Sequence, residues 1–281
     1  MNTYIYDPQT FCSPQKLIDI RSAISFLDVT YGADFEFPGE QHNFWEIVYI
    51  VEGTARISAD DRLYTLSGGE AIFHKPMEWH KICSAHSKLH ICVFTFEAFG
   101  SGMMPLEKCA LQLTEAMQQL VHRMIREAER AFERDGCMIQ SVKDVKSCQI
   151  YFNLLEVFLL SVGNEREPFH TKDPDSLLFS EIIHLLKSYT CQRISIDFIA
   201  KECHISSSGL KKKFRKYTGM GVLEYHTRLQ IEEAMHLLSE GLSIKEVSNR
   251  LSFSSQFYFS SVFKRITGIT PSTYKRSRLR E

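Results

Sequence analysis

Residues 206–219 read SSSGLKKKFRKYTG, and residues 254–268 read SSQFYFSSVFKRITG. Each stretch opens on a serine able to cap a helix, runs for about three turns, and closes on a glycine free to adopt the left-handed backbone of a helix stop. KKFRKYTG (212–219) aligns with SVFKRITG (261–268), and Phe214 and Phe263 fall in equivalent places. A generic helical core has no reason to repeat its own punctuation. The C-terminal part is therefore expected to contain one supersecondary unit twice.

Upstream of each stretch lies a shorter helix. Ser195 is placed to cap 196–203, His204-Ile205 turns the chain, and Ser206 caps 207–218; Ser243 caps 244–251, Ser252-Phe253 turns it, and Ser254 caps 255–267. A short helix, a tight turn and a second capped helix make a helix-turn-helix. Residues 222–239, with Leu223, Leu229, Ile231, Ala234, Leu237 and Leu238, form a long helix able to hold the units in fixed relation, and 177–189 is a further amphipathic helix.

Charge follows the same division. From Ser176 onward there are 17 Lys+Arg against 9 Asp+Glu, although the whole chain has a net charge of −1. The cluster Lys211, Lys212, Lys213, Arg215, Lys216 and the tail Lys275, Arg276, Arg278, Arg280 suit a phosphate backbone.

The N-terminal part reads differently. Between Asp34 and Phe96 short apolar runs (44–51, 55–58, 63–66, 71–74, 89–96) are separated by turn signals such as Glu52-Gly53, Asp60-Asp61 and Ser67-Gly68-Gly69. Strands at this spacing predict a sandwich or small barrel with room for a ligand. From Pro105 the apolar period becomes helical: Leu113, Met117, Leu120, Met124 and Ile125, then 139–162 with Val142, Val145, Ile150, Leu154, Leu155, Phe158 and Leu159. The polar 163–175 reads as a linker. The expected domains are thus a barrel (1–104), a helical packing or dimerisation region (105–162), the linker, and a double helix-turn-helix domain (176–281).

At 281 residues the chain is long enough for two domains, and its 44% hydrophobic content excludes disorder. No apolar run long enough to span a membrane and no signal peptide in MNTYIYDPQT are read, so a cytoplasmic protein is expected. The eight cysteines form no CxxC pair and are taken as reduced thiols.

With these residues in view, the chain resembles the AraC/XylS family of bacterial transcription regulators. The densest match is Leu251-Ser252-Phe253-Ser254-Ser255-Gln256-Phe257-Tyr258-Phe259 through Phe263-Lys264-Arg265 to Gly268-Ile269-Thr270-Pro271 and Tyr274. Ile199-Ala200, Ser206, Leu210, Phe214, Thr218-Gly219 and Tyr225 extend it to the first unit, and Arg228-Leu229, Glu233-Ala234 and Leu237-Leu238 to the long helix. Ser252 departs from the usual glycine, so its turn is expected to be slightly strained or differently closed. Glu46 through Gly53, Gly68 through Phe73, and Pro76 through His80 are similar to the cupin sensor barrel of the family. The resemblance implies an α+β chain of two domains: a cupin-like β-barrel followed by amphipathic helices, then an all-α domain with two helix-turn-helix units joined by a long helix.

In cupin enzymes a metal is held by a His-x-His pair, a following Glu and a distant His. His42, Glu46 and His80 stand in matching places, but Glu40 replaces the first His and Glu78 a usual Gly. Imidazole and carboxylate suit a divalent transition metal. With one ligand of the set replaced, the expectation is an organic effector near His42, Trp45, Glu46, Tyr49, Trp79 and His80, with no metal, cofactor or catalytic residue. Because Trp45 and Tyr49 share one strand face and Glu46 the other, the six converge only through a bulge.

The expected function is sequence-specific binding of double-stranded DNA, with 207–218 and 255–267 as recognition helices. Ser207, Ser208, Lys211, Lys212, Lys213 and Arg215 on the first, and Ser255, Gln256, Tyr258, Ser260, Ser261 and Lys264 on the second, are the candidate contacts. Gln suits adenine, and Lys or Arg suit guanine or phosphate. The expected partners are DNA, a small effector, a second copy of the chain and, for an activator, RNA polymerase, with no membrane. The rival readings are a metal-dependent cupin enzyme with a helical accessory domain, and a regulator controlled by a partner protein.

Overall fold

Six consecutive residues, Trp45 to Ile50, are buried, because strand β2 (Trp45–Glu52) is covered on both faces. The computed structural model, which describes residues 15–107, 109–162 and 174–278, places β2 inside an antiparallel sheet of seven strands. The others are β1 (Asp19–Tyr31), β5 (Glu70–His74), β7 (Leu89–Phe99), β8 (Ala110–Gln112), β9 (Phe132–Asp135) and β10 (Met138–Val142), in the order β8-β5-β2-β7-β1-β10-β9. A second sheet has the order β4-β3-β6, from β3 (Thr54–Ala59), β4 (Arg62–Ser67) and β6 (His80–Ser84).

The two faces of β2 enter different cores. Trp45, Ile47 and Tyr49 join Phe26, Phe73, Phe94 and Phe96 against helices α1 (Glu115–Ala131) and α2 (Val145–Val162). Val48 and Ile50 join Ile57, Tyr64, Leu66, Ile72 and Ile91 between the two sheets. A strand covered on both sides shows a continuous apolar run rather than alternation. The resulting layers are helices, large sheet, small sheet.

The C-terminal part is all helical: α3 (Pro174–Ser188), α4 (Ile196–Glu202), α5 (Ser207–Thr218), α6 (Val222–Ser239), α7 (Ile244–Arg250), α8 (Gln256–Thr267) and α9 (Pro271–Arg278). Ser195, Ser206 and Ser243 cap α4, α5 and α7, and Ser243 forms a full capping box with Glu246. Gly219 and Gly268 end α5 and α8 in the left-handed conformation. Thr218 Oγ1 donates to Phe214 O and Thr267 Oγ1 to Phe263 O, both at 2.8 Å, so the repeat extends to hydrogen bonds.

Several expectations change. The cap of α8 is Ser255, whose hydroxyl accepts from Tyr258 N, and not Ser254; the second turn holds one residue more than the first. Residues 139–142, read as helix, form β10, which turns back on β9 at Gly136. Apolar residues at 139, 142 and 145 mimic a helical period although a hairpin separates the helices. Strands β8, β9 and β10 belong to the large sheet, so the stretch beyond 104 completes that sheet as well as supplying helices. Helix α2 is long and apolar enough to cross a membrane by length and composition alone, contrary to the expectation that no apolar run reaches that length. Here its Tyr151, Leu155 and Phe158 pack against the large sheet and α1. Helix α3 starts at Pro174, inside the expected linker, whose residues 163–173 lie outside the described residues, as do residues 1–10.

Ser252 has φ +57, as its replacement of glycine led us to expect, and His204, at the equivalent turn, has φ +53. Ser252 is held there from both sides: its hydroxyl donates to Cys191 O at 2.8 Å, and Arg193 Nε donates to its carbonyl oxygen at 3.2 Å.

Candidate functional site

The outward faces of α5 and α8, the expected recognition helices, follow from amphipathic packing. Leu210 and Phe214 of α5, and Phe259 and Phe263 of α8, are buried, which turns the remaining faces outward. On α5, Ser208, Lys211, Lys212 and Arg215 are exposed; Ser207 is half-buried and its hydroxyl donates to Asp197 at 2.6 Å. Lys213 departs from the expected group. It is half-buried in a groove with Leu178, Phe179 and Ile182 of α3, one step around the helix from the open face. On α8, Ser255, Gln256, Tyr258, Ser261 and Lys264 are exposed, while Ser260 is half-buried and its hydroxyl donates to Gln256 O. Phe257, absent from the expected contacts, is 86% exposed between Gln256 and Tyr258. Its signal was present in the sequence: with Phe259 assigned to the core, Phe257 falls on the opposite face, in line with Ser261 and Lys264.

The six expected effector residues do not converge. Trp45 and Tyr49 face the helical layer, and Trp79 packs into the core of α3 to α6. His42, Glu46 and His80 meet at one end of the sheets, joined by Glu40. His42 Nε2 lies 3.4 Å and His80 Nε2 3.3 Å from Glu46 oxygens, and His80 Nε2 lies 3.7 Å from Glu40. His74 stacks on His80 with ring centroids 4.2 Å apart. Burial alone would raise the Glu46 pKa, but His80, His42 and His74 outweigh it and hold the carboxyl well below the usual carboxylate range. Burial opposes a charged ring at His80, yet Glu46 and Glu40 push its pKa up to about 10. For His74, burial and the neighbouring His80 lower the pKa.

A third feature is the seam where the small sheet meets the helical domain. Trp79 Nε1 donates to Thr218 O at 2.9 Å, Tyr225 Oη to Asp60 O at 3.2 Å, Ser180 Oγ to Asp61 O at 2.6 Å, and Ser58 Oγ to Tyr217 O. Gln41 Nε2 donates to Glu232 at 2.6 Å, and Arg228 donates to Gln41 Oε1 at 3.0 Å while its guanidinium lies 4.6 Å from the Trp79 ring centre. Beside these contacts opens a cavity of about 370 Å³. Phe35, Ile57, Leu63, Tyr64 and Tyr217 supply apolar wall, and Arg56, Lys81 and Lys216 supply positive charge against the carboxylates of Asp34 and Glu36. Lys81 is partnered by Glu36 and by Lys216 O. None of the six expected effector residues lines this cavity. Its walls come from sequence-distant elements, which no local pattern brings together.

Comparison with known proteins agrees with this division. A helix-turn-helix domain family matches residues 199–277, and the family described as AraC-like ligand binding domain matches residues 29–136. The chain thus joins an AraC-like ligand-binding domain to a helix-turn-helix domain. With these two domains it is a DNA-binding transcription regulator with an N-terminal ligand-binding domain. Among its relatives is the transcriptional activator RhaR of Pectobacterium atrosepticum, 22% identical over 253 residues, covering 85% of this chain and 86% of that one. The uncharacterized transcriptional regulator YfiF of Bacillus subtilis is 26% identical over 257 residues, covering 85% and 80%. Apo ToxT from Vibrio cholerae overlays on 93% of this chain and 98% of its own at 15% identity, with a TM-score of 0.39.

Proposed function

We propose that this regulator reads a bipartite DNA site with α5 and α8 in successive major grooves, and that a small organic effector in the interdomain cavity adjusts their placement. The observation that carries this reading is the repeated frame: equivalent caps, core phenylalanines and glycine stops present two outward faces from one chain, joined by α6. Ser208, Lys211, Lys212 and Arg215 on α5, and Gln256, Phe257, Tyr258, Ser261 and Lys264 on α8, carry the contacts. Ser207, Lys213, Ser255 and Ser260 act as supports. One chain with two readers recognises an asymmetric site.

The cavity combines an apolar body with a small excess of positive charge, Arg56, Lys81 and Lys216 against Asp34 and Glu36, which fits a small organic molecule bearing one anionic group. The protein is read as non-catalytic and cytoplasmic, acting as a homodimer and, where it activates, through RNA polymerase. Selection of bound DNA from a random pool by the full chain tests the reading. Enrichment of one asymmetric motif with two blocks about one helical turn apart is the expected result. A pool that remains random, or a motif with only one block, overturns the bipartite arrangement.

A further inference from the structure

Glu40, His42, Glu46 and His80 each bring one ligand atom within 4.8 Å of all the others. Glu46 enters from the inward face of β2 and His80 from the start of β6, and the isolated bridge Glu40↔His80 fixes the approach of the third segment. Both imidazoles are oriented by the backbone: His42 Nδ1 lies 3.1 Å from Phe44 O, and His80 Nδ1 lies 3.1 Å from Glu78 O. A ring nitrogen facing a carbonyl oxygen carries the proton, so each ring directs Nε2 inward as the atom that takes up either a second proton or a metal ion. Both Nε2 atoms are buried and face Glu46 oxygens at 3.3–3.4 Å without well-aligned hydrogen bonds, and the His80 and Glu46 side chains are only 4% and 7% exposed.

We propose that Glu40, His42, Glu46 and His80 bind one divalent first-row transition-metal ion. The sequence reading set this site aside because Glu40 stands where a histidine was looked for; the structure brings the Glu40 carboxylate to the same centre. Two imidazole nitrogens and two carboxylate oxygens match such an ion in donor type, and the two carboxylates neutralise its charge. The Nδ1 contacts to Phe44 O and Glu78 O supply the outer hydrogen bonds that orient metal-binding histidines.

The position of the site ties the metal to the seam. Gln41, between Glu40 and His42, carries the contacts to Glu232 and Arg228, and Trp79, beside His80, carries those to Thr218 and Arg228. In both extended segments adjacent side chains leave in opposite directions, one to the metal centre and the next to the DNA-binding domain. Loading the site therefore fixes the backbone that presents Gln41 and Trp79, and tightens domain docking.

The test uses the full chain, stripped with a chelator and titrated separately with Zn²⁺, Mn²⁺ and Co²⁺. We expect one equivalent of at least one of these ions per chain. His42→Ala and Glu40→Gln each weaken binding by about tenfold or more. Glu40, whose side chain is 46% exposed, can be changed without opening a core, which separates lost binding from lost folding. Failure of all three ions to bind at micromolar concentrations, or unchanged affinity in a folded Glu40→Gln, His42→Ala double variant, overturns the site. Hydrogen exchange of the amides at 216–220 reads the coupling: it slows on metal addition if docking tightens, and unchanged exchange in the loaded protein overturns the coupling. DNA selection plays no part in these readouts, so the outcome is independent of how the operator is read.

Discussion

The indole nitrogen of Trp79 donates to the carbonyl oxygen of Thr218 at 2.9 Å, joining the segment that enters β6 to the C-terminal end of α5. Both residues are buried, so the acceptor has no access to water as a substitute. Trp79→Phe keeps an aromatic ring near Arg228 and removes the donor. Leaving a buried carbonyl unsatisfied costs about 1–3 kcal/mol. The expected result is faster hydrogen exchange around 216–220 with exchange in α8 unchanged; equal exchange in both proteins would show that the bond does not hold the seam.

Gly219 and Gly268 are equivalent helix stops with unequal surroundings. A Cβ at Gly268 meets nothing, whereas one at Gly219 overlaps the carbonyl oxygen of Pro38. Gly268→Ala is therefore expected to cost about 1–2 kcal/mol of left-handed backbone strain. Gly219→Ala adds a clash with the sheet domain to the same strain, and should lower thermal stability further while increasing protease sensitivity between the domains. Equal losses in the two variants would contradict this asymmetry.

On the second reader, Gln256→Ala is expected to cost about 1–3 kcal/mol at a single base pair and to relax its preference. Phe257→Ala should act at a neighbouring position by losing apolar contact with a thymine methyl. Lys212→Ala, on the first reader, should weaken all sequences alike and reduce the salt slope by about one unit. Binding to a panel of single-base operator variants distinguishes these outcomes.

Glu232 on α6 faces Gln41, Asp60, Lys75, Lys187 and Arg228. Burial and the charge of Asp60 push its pKa up to about 7 from an ordinary 4.5, against the opposing effects of Lys75, Lys187 and Gln41. The docked form thus holds a proton that the exposed carboxyl would release. Its contribution to docking is full below about pH 4.5 and is lost as the pH rises through about 7. Wild-type thermal stability should fall between pH 5.5 and 8 more steeply than that of Glu232→Gln; identical slopes would remove Glu232 as the cause.

Helix α2 leaves Val145, Val157 and Leu160 exposed opposite its packed face. If this face joins two copies, Val157→Asp converts a dimer to a monomer in sedimentation without changing the far-ultraviolet dichroism. A wild-type monomer at tens of micromolar would return these residues to ordinary surface.

The C-terminal helices were legible because their signals are local: a serine cap, a glycine stop and a phenylalanine at helical spacing lie within a dozen residues. Two boundaries there shift: α3 begins at Pro174 rather than Leu177, and Ser255 caps α8 rather than Ser254, since either serine satisfies the same local rule. Strand β1 was missed although it pairs along its length with β7, since its burial is only partial and its apolar residues are diluted by Asp19, Arg21, Ser22, Ser25 and Asp28. At the candidate sites, His42, Glu46 and His80 were recognised by type, but the participation of Glu40 depended on a bridge to a residue 40 positions away. The cavity at Lys81 and Lys216 depends on the docking of two domains, a relation no single stretch encodes.

Every sheet-domain contact described above falls on α3, α5 or α6, and none reaches α7 or α8. The duplicated motif has therefore been divided into a tethered copy and a free one. A displacement of the small sheet acts directly on α5, while α8 receives it through the 18-residue lever of α6 and the contacts of Cys191 and Arg193 with Ser252. On the proposed reading, the same small rotation of the small sheet then translates α8 farther than α5, altering the distance between the two DNA contacts rather than the chemistry of either.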